Sequence, residues 1–201
     1  MNVQQLQKTL RASQYAEQVL ANHVGLLEQD YALDQFLVCL SSSQIQHCVA
    51  NTLAHLTDEA AWMSALRILR ARLMFRWIWQ DANQLTDVVT LTRELSDFAD
   101  AAICAAKAFA RAPLIAKYGE PMGYNGALQD LIVVAMGKHG AQELNLSSDI
   151  DLIFAFDEQG ETNGRKCIEV QQFCILWVPK LIYLLDHITA DGFVFRVDIR
   201  L

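Results

Sequence analysis

Asp149 and Asp151 carry the clearest chemical signal in this sequence, because they stand two residues apart in the segment DIDLIFAF. The apolar residues of this segment predict a β-strand, in which side chains alternate between two faces. The two carboxylates therefore point the same way, with their Cα atoms roughly 7 Å apart. The opposite, apolar face comprises Ile150, Leu152, Phe154 and Phe156. Paired carboxylates of this kind predict a site for one cation or for two adjacent ones.

A third acidic residue, Asp198, lies in a segment with the same alternation, FVFRVDIRL at 193–201. Its apolar face comprises Phe193, Phe195, Val197, Ile199 and Leu201. The opposite face comprises Val194, Arg196, Asp198 and Arg200. If the two strands are neighbours, Asp198 joins the other two carboxylates, which repel one another unless a cation with a preference for oxygen ligands, such as Mg²⁺, is bound. Two such ions about 3.5–4 Å apart would hold the attacking and leaving oxygens of a phosphoryl transfer.

The segment before the paired acids, GKHGAQELNLSS at 137–148, predicts a phosphate-binding loop. Gly137 and Gly140 would let the backbone approach phosphates closely, and Lys138 adds positive charge. Ser147 and Ser148 can donate hydroxyl and backbone N–H bonds to phosphate oxygens. The loop differs from the P-loop of many nucleotide hydrolases, because the pattern GxxxxGK[ST] does not occur.

The composition indicates a folded protein with an acidic surface. Of 201 residues, 53% are hydrophobic and 19% charged, and the net charge is −7. Negative charge repels nucleic-acid phosphates, so we expect no nucleic-acid partner. The most apolar stretch, at 173–185, is too short to cross a membrane, and the first residues do not resemble a secretory signal. We therefore expect a cytoplasmic protein without a membrane partner, whose five cysteines are reduced thiols in or near the core.

Residues 1–128 are predicted to form a helical region and 129–201 a catalytic core with strands. Proline is absent before Pro113 and glycine is nearly absent between Gly25 and Gly119, which favours long helices. The clearest helices are expected at 57–81 and about 86–112. Later, we expect a buried strand at 131–136, the two acidic strands, and between these a helix at about 165–187 that Pro179 should bend.

Several other side chains have a simpler interpretation than chemistry. A run of arginines on the 57–81 helix is interpreted as a solvated face that pairs with nearby acids: Arg67, Arg70, Arg72 and Arg76. His139 is interpreted as an inert residue of a surface loop. For Arg196 and Arg200, which share a face with Asp198, a role in binding phosphate or carboxylate stays open.

The two acidic segments resemble a known family. GKHGAQELNLSSDIDLIFAF at 137–156 resembles a signature of the glutamate–ammonia-ligase adenylyltransferase family, and ADGFVFRVDIRL at 190–201 resembles its next signature. ALRILRARLMFRWIWQD at 65–81 and TRELSDFADAAI at 92–103 are similar to its N-terminal helices. The resemblance covers about residues 60–201. Two departures are that His139 replaces the usual leucine and that Pro179 interrupts a helix.

The resemblance implies an α+β fold, in which a helical region precedes a polymerase-β-like nucleotidyltransferase domain with a small mixed sheet. It implies that the chain is the deadenylylating half of the enzyme. This half would use phosphate to remove AMP from a glutamine synthetase tyrosine and release ADP, a reaction that regulates nitrogen metabolism. ATP, ADP and Mg²⁺ would be bound, and a PII-type signal protein would be a partner of the full-length family. By analogy the metal ligands would be Asp149, Asp151 and Asp198. The groups that bind nucleotide would be Gly137, Lys138, Gly140, Ser147, Ser148 and Arg196.

Two alternatives stay open at this point. The catalytic core is expected to be truncated at Leu201, since the family continues beyond this point, so the chain could be a fragment that binds nucleotide or a partner protein without turnover. A nucleotidyltransferase of the same fold could also act on another acceptor, such as a small molecule.

Overall fold

The computed structural model describes residues 2–32 and 36–199, and this part of the chain has an α+β fold. Its seven helices are α1 Val3–Ala12, α2 Gln14–Ala32, α3 Ser42–Leu53, α4 Glu59–Ala82, α5 Val88–Tyr118, α6 Gly137–Gly140 and α7 Val170–Asp186. Its five strands are β1 Pro121–Gly123, β2 Ile132–Met136, β3 Ile150–Ala155, β4 Gly160–Thr162 and β5 Val197–Ile199. The expected α+β class with small mixed sheets is confirmed.

The two predicted N-terminal helices exist, and side-chain caps explain where they begin. Asp58 caps α4 by accepting a hydrogen bond from the Ala61 N–H at 2.9 Å. Asp87 accepts one from the Thr90 N–H at 2.8 Å at the start of α5. The second helix is longer than predicted, because α5 continues through Pro113 to Tyr118. The glycine that follows, Gly119, has a φ of +83°, which ends the helix.

The chain divides into two compact units. One comprises Met1–Phe98 with Gln142–Ser147, and the other comprises Ala99–Ala141 with Ser148–Leu201. This division falls inside α5, whereas the predicted domain boundary at residue 128 follows the change from helical to strand periodicity. The assignment of 1–128 and 129–201 to separate domains stays a prediction.

The first unit is a helical bundle around an aromatic cluster. Phe36 stacks on Trp79 with 5.7 Å between ring centroids, and Phe75 meets Phe36 edge-on at 5.8 Å. Helices α1, α2 and α3 all pack against α4, whose C-terminal half supplies Ala71, Phe75, Ile78 and Trp79 to the cluster. The three tryptophans of α4, Trp62, Trp77 and Trp79, are all buried.

The arginines of α4 do not form a solvated face, so that interpretation is wrong. Arg67 is buried and donates to the Met63 carbonyl at 3.0 Å, while Arg70 donates to the Tyr15 hydroxyl at 3.1 Å. Burial lowers the pKa of Arg70. Arg72 and Arg76 do pair with acids, Asp30 and Glu94, but the Arg76–Glu94 pair is buried and Arg72 is only 30% exposed. Helical spacing places the arginines near one another without saying which neighbouring helices cover them.

The second unit contains both small sheets. β1 and β4 pair in antiparallel fashion, and the other sheet has the order β2-β3-β5, with β2 antiparallel and β5 parallel to β3. Helix α7 packs against β1, β4 and β5 and buries Phe173, Trp177 and Leu181. It runs through Pro179 as one helix from Val170 to Asp186.

The predicted strand at 131–136 is present as β2, but it is not buried as its continuous apolar run suggested. Ile132, Val134 and Met136 are 45%, 42% and 39% exposed. The reason is that these side chains lie on the same face of the sheet as Asp151, the register partner of Met136, and this face is open. The third predicted strand begins later than residue 193, since Val194 and Phe195 are both buried and pairing begins at Val197. The last two residues of that prediction, 200 and 201, lie outside the described residues.

In the described residues no helix is long and apolar enough to cross a membrane. All five cysteines lie in this part of the chain and are free thiols. Cys39, Cys104 and Cys167 are exposed, which corrects the expectation that the cysteines lie in or near the core. Burial raises the pKa of the Cys174 thiol on α7 to about 11, and the nearby Asp130 carboxylate acts in the same direction.

Candidate active site

The strand register brings two of the three predicted acids together. Asp151 in β3 is the direct partner of Asp198 in the parallel strand β5. Neighbouring strands lie about 4.8 Å apart, and directly paired residues project from the same face. Ile150 and Leu152, which flank Asp151 on the opposite face, are fully buried, so both carboxylates lie on the open side of the sheet. The structure thus places Asp198 beside Asp151, while their role as metal ligands stays a prediction.

The third acid, Asp149, lies just before β3 and is paired with an arginine. The Arg196 Nε donates to Asp149 Oδ1, and both side chains are partly exposed. The backbone supports this pair, because the Ile150 N–H donates to the Arg196 carbonyl at 3.0 Å. Arg196 therefore neutralises Asp149 here, a contact that its strand position did not reveal.

The glycine turn lies directly against Asp151. Gly137 has a φ of +57°, and a Cβ atom added to it would stand 2.6 Å from Asp151 Oδ2. A Cβ atom on Gly140 would stand 2.5 Å from the Ala135 carbonyl oxygen. Both positions therefore require glycine. At Gly137 the reason is the close approach of the turn to a carboxylate, and at Gly140 it is the close approach of the turn to its own sheet. Lys138 is exposed on the same turn.

The two serines fall on either side of the division between the compact units. Ser147 belongs to the first unit, where its N–H donates to Asn145 Oδ1 at 3.1 Å. Ser148 belongs to the second unit, directly before Asp149. Their predicted contacts with phosphate stay predictions.

Comparison with known proteins gives the family. The family model described as glutamate-ammonia ligase adenylyltransferase matches residues 3–201. The chain belongs to this family. A protein of Acinetobacter baylyi named bifunctional glutamine synthetase adenylyltransferase/adenylyl-removing enzyme is 75% identical over 201 residues, which are 100% of this chain and 22% of that protein.

Two more distant adenylyltransferases carry the same name. That of Shewanella frigidimarina is 39% identical over 202 residues, covering 100% of this chain and 21% of its own length. That of Thioalkalivibrio sulfidiphilus is 46% identical over 144 residues, covering 72% of this chain and 15% of its own length. The chain thus spans about a fifth of the length of the A. baylyi and S. frigidimarina relatives.

The carboxylate donors of this chain suit a hard cation, although the side chains are not gathered around one point. Within 2–32 and 36–199, no group of three or more His, Cys, Asp or Glu side chains is arranged to hold a metal. Asp149 is paired with Arg196, whereas Asp151 and Asp198 are neighbours through the strand register. The missing Cβ of Gly137 leaves room beside Asp151 Oδ2. Asp149 could act as a third ligand only by leaving Arg196.

The interpretation of His139 as an inert surface residue is wrong about its location. Its side chain is 1% exposed, and its Nε2 lies 2.8 Å from Asp100 Oδ1. Asp100 lies on α5 next to the buried Ala99, and sequence reasoning missed it. The available signal was an acidic residue among small apolar ones in the helix 86–112, which indicates a polar partner in the fold.

Replacing Gly137 by alanine should destabilise the protein more than the same change at Gly126. Both glycines have positive φ, +57° and +79°, but a Cβ at Gly126 would meet nothing within 4 Å. Gly126→Ala therefore measures backbone strain alone, about 1 kcal/mol. Gly137→Ala adds the contact with Asp151 and should lose about 2–3 kcal/mol. Urea unfolding measures both variants, and equal losses would contradict the close approach of the turn to Asp151.

Proposed function

We propose that this chain carries the nucleotidyltransferase centre that removes AMP from a tyrosine of glutamine synthetase, using phosphate and Mg²⁺. One observation carries the proposal: Asp151 and Asp198 are direct partners on the open face of a sheet, with the Gly137 turn beside Asp151. Membership of the adenylyltransferase family supplies the reaction class. The names of the relatives include an adenylyl-removing activity.

Each side chain has a part that its position supports. Asp151 and Asp198 would hold Mg²⁺ with adjacent carboxylate oxygens, and Asp149 would join them after exchanging Arg196 for the cation. Arg196, once released, stands two residues before Asp198 and can pair with a phosphate oxygen. Lys138, on the turn beside Asp151, adds a positive charge for the nucleotide phosphates. Gly137, Gly140, Ser147 and Ser148 would supply backbone and hydroxyl donors.

The proposed reaction is a phosphorolysis. An oxygen of inorganic phosphate attacks the phosphorus of AMP, the bond from that phosphorus to the tyrosine oxygen breaks, and the tyrosine oxygen takes up a proton. The products are ADP and unmodified glutamine synthetase. The cation would neutralise the charge that develops on the transferred group. The protein side chains align the attacking and leaving oxygens and supply no covalent intermediate.

The remaining expectations from the sequence belong to the same proposal. ATP and ADP are the expected nucleotides, glutamine synthetase is the expected protein substrate, and a PII-type signal protein is the expected regulatory partner of the longer relatives. A cytoplasmic location, without a nucleic-acid or membrane partner, stays a prediction.

A second candidate is binding without turnover. The pairing of Asp149 with Arg196 favours it, because that ion pair removes one of the three predicted ligands. In this case the chain would bind nucleotide or its protein partner, and no adenylyl group would be transferred.

The two candidates differ in whether ADP is formed. We expect the chain, incubated with adenylylated glutamine synthetase, Mg²⁺ and phosphate, to release ADP in an amount equal to the AMP lost from the substrate. Omission of phosphate or addition of a chelator is the control, and each should abolish ADP formation. Nucleotide binding without ADP, at all enzyme concentrations, would contradict catalysis and support the second candidate.

A further inference from the structure

A buried histidine connects the glycine turn to a long helix. His139 is the third residue of α6 (Gly137–Gly140), and its Nε2 lies 2.8 Å from Oδ1 of Asp100 on α5. The imidazole is 1% exposed, whereas the carboxylate of Asp100 is 47% exposed. Both residues belong to the same compact unit as Asp151 and Asp198. The contact is therefore a fixed connection between α5 and the turn that borders the candidate active site.

The other ring nitrogen shows that simple packing does not explain a histidine at this position. Nδ1 is buried and has no hydrogen-bond partner in the described part of the chain. A buried polar atom without a partner is unfavourable, and an apolar side chain of similar size would avoid this cost. The hydrogen bond from Nε2 to Asp100 is thus the property that this imidazole adds.

The position of the turn determines how close its backbone lies to the acids. Gly137 is two residues before His139, and a Cβ atom added to it would stand 2.6 Å from Asp151 Oδ2. Gly140 directly follows His139, and a Cβ atom there would stand 2.5 Å from the Ala135 carbonyl oxygen. α6 packs against β2 and β3. A four-residue helix has little stability of its own, so a side-chain hydrogen bond to a long helix restrains it strongly. Loss of this bond would let Gly137 move away from Asp151 and loosen the carboxylate.

We propose that His139 is a positioning residue, which acts through Asp100 to hold the Gly137–Gly140 turn against Asp151 and so orients this carboxylate for a divalent cation. The part of the inference that concerns the cation rests on the proposed function. The part that concerns the restraint of the turn rests on the contact between His139 and Asp100. It assigns no contact between His139 and substrate.

The test compares three variants, with Mn²⁺ as the cation. His139→Leu removes the hydrogen-bond donor, and Asp100→Ala removes the acceptor. Because the Asp100 side chain is 47% exposed, we expect Asp100→Ala to disturb the fold less than a change at the buried His139. His139→Gln is the matched control, because the amide nitrogen of glutamine can occupy the place of Nε2 and donate to Asp100. Mn²⁺ affinity is measured by electron paramagnetic resonance, and hydrogen exchange is measured at the amides of 137–140. Melting temperatures show whether each variant is folded.

We expect His139→Leu and Asp100→Ala to weaken Mn²⁺ binding about tenfold, as is typical when a residue that orients a ligand is lost. Both should speed hydrogen exchange in the turn while the melting temperature changes little. His139→Gln should stay within about twofold of the wild type in affinity. If the leucine variant does not fold, Asp100→Ala decides.

Mn²⁺ affinity that is unchanged in both disruptive variants would overturn the inference, as would a glutamine variant as weak as the leucine variant. If the wild type itself binds no Mn²⁺, the proposed function fails separately. Hydrogen exchange then decides alone: faster exchange in 137–140 that glutamine restores supports a positioning role for His139, and unchanged exchange overturns it.

Discussion

Asp151→Asn and Asp198→Asn should each reduce phosphate-dependent ADP formation by at least about a hundredfold, the scale expected when a group that stabilises transition-state charge is removed. The amide keeps the size of the carboxylate but removes its negative charge. Because the two residues are direct partners across parallel strands, each variant leaves only one carboxylate in the pair. Initial rates of ADP release from adenylylated glutamine synthetase measure the effect.

The matched control is Asp157→Asn, the same change at an exposed acid beyond the end of β3. It should keep the rate of the wild type. Asp149→Asn is expected to have a smaller effect than the other two, because its carboxylate is already engaged by Arg196. Wild-type activity in either Asp151→Asn or Asp198→Asn would contradict the assignment of that residue.

Arg76→Leu should cost about 3–5 kcal/mol of the free energy of unfolding, since it leaves a buried charge without its main partner. Glu94 and Arg76 are joined at 2.7 Å, and their side chains are only 3% and 5% exposed. Glu94 also accepts hydrogen bonds from Trp77 Nε1 and the Leu40 N–H, each at 2.8 Å. Glu94 therefore accepts hydrogen bonds from two side chains of α4 and from the backbone of Leu40.

Arg93→Leu is the control, because Arg93 precedes Glu94 on the same helix and is exposed. It should change stability by less than about 0.5 kcal/mol. Replacing both Arg76 and Glu94 by leucine should recover part of the loss, because no unpaired charge then remains. Urea unfolding followed by tryptophan fluorescence reports on this unit through Trp77. A loss below about 1 kcal/mol in Arg76→Leu would show that the pair is solvated.

Local periodicity was enough to predict the open acidic face, and three-dimensional pairing decided the rest. Alternation in 149–156 correctly separates Asp151 from the buried Ile150 and Leu152, because the period of a strand is a local property. The position of Asp198 beside Asp151 depended on an assumed strand order, which the parallel pairing of β3 and β5 provides. The contact between Arg196 and Asp149 joins residues far apart in the sequence, and no spacing rule reveals it.

The wrong interpretations share a physical cause. An apolar run predicts a strand such as β2, but whether its faces are covered depends on the neighbours that the sheet provides. The α4 arginines and His139 look like surface residues because charged and polar side chains usually are. Arg76 and His139 are buried here because each finds a partner on another element, Glu94 for Arg76 and Asp100 for His139. Sequence patterns along one helix contain no information about such partners.

The central claim is that the Asp151 and Asp198 register pair gathers a divalent cation beside the Gly137 turn. Paramagnetic broadening of amide resonances by substoichiometric Mn²⁺ tests it most directly. We predict that the amides of Gly137, Asp151 and Asp198 broaden first and together, and that Asp157 is affected later. Broadening that begins elsewhere, or that spares any one of the first three amides, would contradict the account.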